Sequence, residues 1–238
     1  MLEPDATTRS APVGSRGPAL DSNPHVLQIL MTEHWSLLGA RNLVYTEAMS
    51  RTAIFVASLT GSVVALALVG QATDFGAGFV VFALVLLPVV FFIGVSTVAR
   101  IGQVNWEDAR WTQGMNRIRN AYLELAPELE PYFVTSRYDD DLGILQSSVA
   151  MREWPGRMQP VIAIPGVVAV IDSVVAGAVF GIAAIGLDLG TASALALGAV
   201  GFAVSLGCFV TWGQRQIARY RVQLDVLFPT PGGAEASG

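Results

Sequence analysis

The sequence predicts an all-α, polytopic membrane protein: four transmembrane helices arranged as two hairpins, with cytoplasmic helical extensions. Three observations carry this expectation. Of 238 residues, 53% are hydrophobic and only 14% charged, whereas soluble domains carry about 25% charged residues. Mean hydropathy is +0.53. Four apolar runs each reach the ~20 residues needed to cross a hydrocarbon core ~30 Å thick. A soluble enzyme is disfavoured on composition alone. The net charge of −5 argues against a nucleic-acid partner, and one cysteine, Cys208, excludes an intrachain disulfide or a multi-cysteine zinc site.

The chain opens with residues 1–22, a polar, Pro/Gly-rich stretch with no apolar core of the signal-peptide kind. It is expected to be a disordered tail. Asn23-Pro24 then supplies an N-cap residue followed by a first-turn proline. The next segment, 23–51, is a cytoplasmic or interfacial helix. It either runs straight into the first span or lies on the membrane surface, with Trp35 and Tyr45 near the headgroups.

The first hairpin, 52–99, contains the runs Thr52–Gln71 and Phe75–Ala99. After it, 100–160 reads as a cytoplasmic helix and an acidic loop. Val104, Trp111, Met115, Ile118, Tyr122 and Leu125 follow intervals of 7, 4, 3, 4 and 3, a coiled-coil-type seam with Asp108 the one polar residue in its register. Pro127 and Pro131 end it. Glu128, Glu130 and Asp139–Asp141 are expected to form a solvated acidic loop, because no calcium-loop spacing accompanies them.

The second hairpin, 161–212, contains Val161–Leu187 and Thr191–Trp212. A cytoplasmic helix, 213–228, follows, with Ile217, Tyr220, Leu224 and Leu227 at intervals of 3, 4 and 3; residues 229–238 close the chain as a second disordered tail. The two cytoplasmic stripes either pack on each other within one chain, or form an oligomer seam or a dock for a cytoplasmic protein partner. The two halves share a layout but no residue-level repeat.

Orientation follows from arginine. All 14 basic residues are Arg, and they fall before the first span, between the second and third, and after the fourth. The turns at 72–74 and 188–190 contain none. Positive charge stays on the cytoplasmic side, so both termini and the middle segment face the cytoplasm of an inner (cytoplasmic) membrane.

Asp172 breaks the membrane rules. It lies ~17 Å along the third run at 1.5 Å per residue, near the bilayer midplane, where a charge costs several kcal/mol unless paired or wet. No Lys, Arg or His occupies any span, so the available donors are hydroxyls such as Ser62, Thr97, Ser173 and Ser205. Three roles remain open: a structural hydrogen-bonding carboxyl, a residue facing other copies, or the lining of a water or ion path. Small residues at four-residue spacing, Gly177 and Gly181 in the third run and Ala199, Ala203 and Gly207 in the fourth, suit close helix packing. They serve either the internal bundle or an oligomer face.

No phosphate-binding loop, nucleophile elbow, zinc-protease motif or C-x-x-C occurs. The two histidines, His25 and His34, are not at metal-ligand spacing. No catalytic residue, metal or cofactor is therefore expected. The stretches Arg41–Arg51 and Tyr122–Phe133 resemble a family of small four-span integral membrane proteins of actinobacteria. The resemblance implies the same layout and carries over no site residues. The architecture is also loosely similar to membrane-span antiphage effectors. The function expected is a self-associating, non-enzymatic scaffold or interaction module in the lipid bilayer, with a homo-oligomer as its working state. The alternatives are a channel, transporter or pore-forming effector using Asp172 and the small-residue faces, and, third, a membrane-embedded enzyme.

Overall fold

A computed structural model describes residues 24–147, 164–221 and 225–232. Its long helices are α1 (Pro24–Ala72), α2 (Ala77–Leu125), α4 (Ile164–Gly186) and α5 (Thr191–Arg221); a 3-10 turn (Pro127–Tyr132) and a short helix α3 (Asp141–Ser147) lie between α2 and α4. Every regular element among the described residues is helical, and the four long helices are long and apolar enough to cross a membrane.

The segment before the first apolar run is not a separate surface helix. It continues into that run, so α1 is a single 49-residue helix, about 73 Å long at 1.5 Å per residue. No proline interrupts it after Pro24. Across the polar-to-apolar junction Arg51 bonds Glu47 at 3.0 Å, one turn back, and the Thr52 hydroxyl donates to the Ala48 carbonyl at 2.9 Å. The helix α2, also 49 residues, passes through Pro88 and stops at Ala126, whose amide closes on the Tyr122 carbonyl just before Pro127.

The tight turn after α1 places Asp74 and Phe75 at φ 49° and 54°. The Phe75 amide bonds the Gly70 carbonyl at 2.9 Å, and its ring folds back over Gly70 in the space a Cβ there would occupy. Asp188 (φ 54°) and Gly190 (φ 79°) make the corresponding turn after α4.

Helix α1 packs on α2, α2 on α4, and α4 on α5, while α2 touches α5 only lightly. The long helices thus form an open row with α1 and α5 at its ends. The shared core is built from Ala48 and Phe55 of α1, Ala83, Leu87, Val90, Val98, Ile101 and Val104 of α2, and Val168, Ala169 and Val175 of α4. Outward faces carry Val63, Leu68, Phe92 and Leu195, all well exposed.

Beyond the apolar runs, α1 and α2 stay paired. Arg41 grips Asp108 with two hydrogen bonds, at 2.5 and 3.2 Å. Arg100 forks onto Glu47 at 3.1 and 2.8 Å and reaches Glu107 at 2.9 Å. Asp108, the polar interruption of the seam, is therefore the α2 half of a cross-helix ion pair. Replacing Asp108 with Ala strands a part-buried guanidinium and should cost about 2 kcal/mol, read as a lower unfolding midpoint in detergent. Arg41→Ala/Asp108→Ala should lose less than the sum of the two single changes.

Candidate functional site

Two groups of polar side chains stand out, one inside the apolar zone and one outside it. The inner one is Asp172, fully buried on α4. Its carboxyl rests on the α2 backbone at Gly94, where a Cβ would overlap it, and the Phe55 ring of α1 covers the same spot. Neither carboxyl oxygen has a hydrogen-bond partner. The expected hydroxyl donors are engaged elsewhere: Ser62 bonds the Ser58 carbonyl, Thr97 the Ile93 carbonyl, and Ser173 the Ala169 carbonyl and the Ser205 hydroxyl. In a helix a Ser or Thr hydroxyl finds the carbonyl one turn back at no cost in chain movement, and that local bond competes with a bond across helices.

The small-residue positions divide into two sets. A Cβ at Gly177 would meet the Gly198 carbonyl and Phe202 of α5, and one at Gly181 would touch the Ala194 carbonyl. Both therefore serve the α4–α5 contact within the chain. Ala199, Ala203 and Gly207 lie on the exposed face of α5, and a Cβ at Gly207 would meet nothing within 4 Å. Between α2, α4 and α5 runs an apolar groove of about 700 Å³ lined by Phe91, Val95, Val179, Val204, Cys208 and Trp212, among others.

Of the α2 stripe, Val104, Met115 and Ile118 are buried, and Trp111, Tyr122 and Leu125 are half-buried. Among the described residues α1 is one neighbour of this stretch of α2: Leu37 lies where a Gly114 Cβ would come within 3.1 Å, and the His34 and Tyr122 rings are 6.3 Å apart. The side chains of Ile217 and Tyr220, and all of Leu224, lie outside the described residues.

The outer group corrects the expectation of a solvated acidic loop at Asp139 and Asp140, while Glu128, Glu130 and Asp141 are exposed as that expectation has it. Asp139 is fully buried. It accepts bonds from Arg117 Nε at 2.7 Å and from the Leu227 and Phe228 amides at 3.0 and 2.7 Å, and its own amide donates to the Phe228 carbonyl at 3.1 Å. Asp140 accepts from the Gly143 amide and from both the amide and hydroxyl of Thr230, each at 2.8 Å. Thr230, placed by sequence in a tail, is thus held. The next turns of α2 complete the cradle. Gln113 donates to the Asp139 and Asp225 carbonyls at 3.0 Å, Arg117 donates to the Asp225 carbonyl, and Asn116 donates to the Tyr138 carbonyl at 2.7 Å. Gln113, Asn116 and Asn120 recur at helical spacing, a legible sign of a polar face that the apolar seam overshadowed.

Compared with known protein families, curated proteins and solved structures, the chain matches none. Among the described residues, no group of three or more His, Cys, Asp or Glu side chains is placed to hold a metal ion.

Two outcomes follow. Gly94→Ala forces its methyl into the Asp172 carboxyl and should destabilise by roughly 1–3 kcal/mol. Adding Asp172→Ala should recover most of that loss in a double-mutant cycle on the detergent unfolding midpoint. At Asp140, burial pushes the carboxyl up, but the hydrogen bonds from Thr230 and Gly143 outweigh it and hold the group below its ordinary 3.8. A carboxyl lowered in the folded state contributes stability fully above that ordinary value and loses it as pH falls through the folded one. Protease cleavage within 225–230 should therefore rise on acidification below the ordinary value, and Thr230→Ala should move the rise to higher pH.

Proposed function

We propose that this chain is a self-associating, non-enzymatic scaffold of the inner (cytoplasmic) membrane. It crosses the bilayer as two helical hairpins with both termini in the cytoplasm. The single observation that supports this best is that α1 and α2 continue as a pair beyond their apolar runs. Past the apolar runs, the paired helices extend for about 40 Å at 1.5 Å per residue. They are braced on one side by the Arg41–Asp108 and Arg100–Glu47 pairs and on the other by the Asp139–Asp140 cradle. Such a mast presents a surface at a set height above the membrane. It also exposes Leu27, Met31 and Trp35, which recur at intervals of four on α1, and exposed apolar side chains in water favour a cover. The working state is an assembly of several copies.

The test is the oligomeric state of the intact chain in lipid nanodiscs, by single-particle mass measurement. Two or more copies per disc across a dilution series is the expected result; one copy throughout overturns the reading. A conducting function is the second reading, favoured by the unpartnered Asp172 carboxyl deep in the apolar zone. It requires that overexpression depolarise cells and that Asp172→Asn abolish the effect at equal protein level. Depolarisation that persists in this variant removes Asp172 from the conducting reading.

A further inference from the structure

Helix α4 holds α2 and α5 apart, and the space between them is the apolar groove. Helix α5 packs so closely on α4 that a Cβ at Gly177 would strike the Gly198 carbonyl, and the Phe180 ring fills the space of a Gly201 Cβ. Against α2, by contrast, α5 has only a light contact, with Trp212 at Gly102. The groove walls run from Pro88 to Ala99 on α2 and from Gly201 to Trp212 on α5, and Val179 and Phe180 of α4 form the floor. From 88 to 99 and from 201 to 212 is 11 residue steps in each wall, about 16 Å at 1.5 Å per residue. That is the depth of one leaflet, half of a hydrocarbon core ~30 Å thick. Trp212 bounds the groove at one end, and tryptophan favours the membrane–water interface.

Size and chemistry decide what fills it. Left empty, the walls would forfeit dispersion contacts. Water needs two to four polar partners, and the lining side chains are apolar apart from Ser205, Cys208 and the Trp212 indole. A helix ~10 Å across and as long as the groove would displace roughly 1,300 Å³. The groove holds about 700 Å³, so a helix of another copy does not fit inside it. An acyl chain, unbranched and one carbon wide, does.

Charge selects the headgroup. Two arginines border the walls. Arg100, next to Ala99, is already bound to Glu47 and Glu107. Arg215 continues the α5 wall one turn past Trp212 and is exposed. Among the described residues it has no carboxylate partner. It stands at the depth where a lipid's acyl chain meets its headgroup.

We propose that this groove holds one acyl chain of an acidic phospholipid from the leaflet on the Arg215 side, with the lipid phosphate at Arg215. The site requires that the chain cross the bilayer, and it does not require self-association.

The test is native mass spectrometry of the full chain, released from micelles loaded with equal amounts of phosphatidylglycerol and phosphatidylcholine of the same acyl chains. The expected spectrum shows one retained lipid per chain. Phosphatidylglycerol should exceed phosphatidylcholine about fivefold, the equivalent of the ~1 kcal/mol that one basic residue gains at an anionic lipid surface. Arg215→Gln should bring the two lipids to equal retention. Val204 and Cys208 line the groove from exposed positions, so Val204→Trp and Cys208→Trp should each remove most of the retained lipid. Val210 is exposed on the same helix outside the groove, and Val210→Trp should leave retention unchanged. No retained lipid, or equal retention of both lipids by the unaltered chain, overturns the proposal. Retention that survives both groove substitutions overturns it too. If those two variants misfold, Arg215→Gln decides, and a preference that persists in it refutes the site. The same spectra count copies. A single copy that keeps its lipid sinks self-association alone, whereas several copies without a retained lipid sink this site alone.

Discussion

The helix α2 is the common neighbour, and what it offers its neighbours is bare backbone. At Gly94 it receives Asp172 from α4 and Phe55 from α1; at Gly102 it receives Trp212 from α5, and at Gly114 it receives Leu37 from α1. Each is a point where a side chain from another helix lies in the space of a missing methyl. Close approach multiplies weak dispersion contacts. In an apolar surrounding, where no hydrophobic drive separates helix from solvent, those contacts are the main source of adhesion. The open row of helices follows: α1 and α4 both seat on α2, and α5 touches it lightly, with Trp212 at Gly102, while packing along α4.

Outside the apolar zone the adhesive changes. On one side of α2 charged side chains pair with α1, and on the other the amides of Gln113 and Asn116 bond the backbone of the loop and of residues 225–230. The two buried aspartates make the contrast. Asp139 sits among three donor groups, one of them a guanidinium, and all of its acceptor capacity facing the protein is met. Asp172 lies against Gly94 and Phe55, and neither of its oxygens has a hydrogen-bond partner. The first holds the chain's end against α2. The second is an uncompensated polar group whose local cost the surrounding packing of Phe55, Gly94 and α4 must outweigh.

The four apolar runs, their limits at the two short turns, and the seam from Val104 to Leu125 were all legible in the sequence, because hydropathy and helical spacing are local properties. So was the oddity of Asp172. Its surroundings were not legible: the Gly94 backbone and the Phe55 ring that lie against it belong to other helices, far away in the sequence. The partner of Asp108 lies 67 positions away in the sequence, and spacing along α2 carries no information about which residue of α1 stands opposite. The acidic loop misled for a related reason. A run of aspartates reads as solvated because most are, and it is the Arg117 guanidinium together with the Leu227 and Phe228 amides that compensates the burial of Asp139.

The sequence by itself determined that four helices form and how far each apolar run extends, because composition and periodicity act residue by residue. Tertiary structure alone decided that α1 and α2 continue unbroken as a paired mast. It also assigned Gly177 and Gly181 to contacts within the chain while leaving Ala199, Ala203 and Gly207 on an open face. And it brought residues 225–230 to the far side of α2. Those outcomes depend on which surfaces meet, and meeting surfaces are set by the backbone approaches at Gly94, Gly102 and Gly114, distances that no linear pattern encodes.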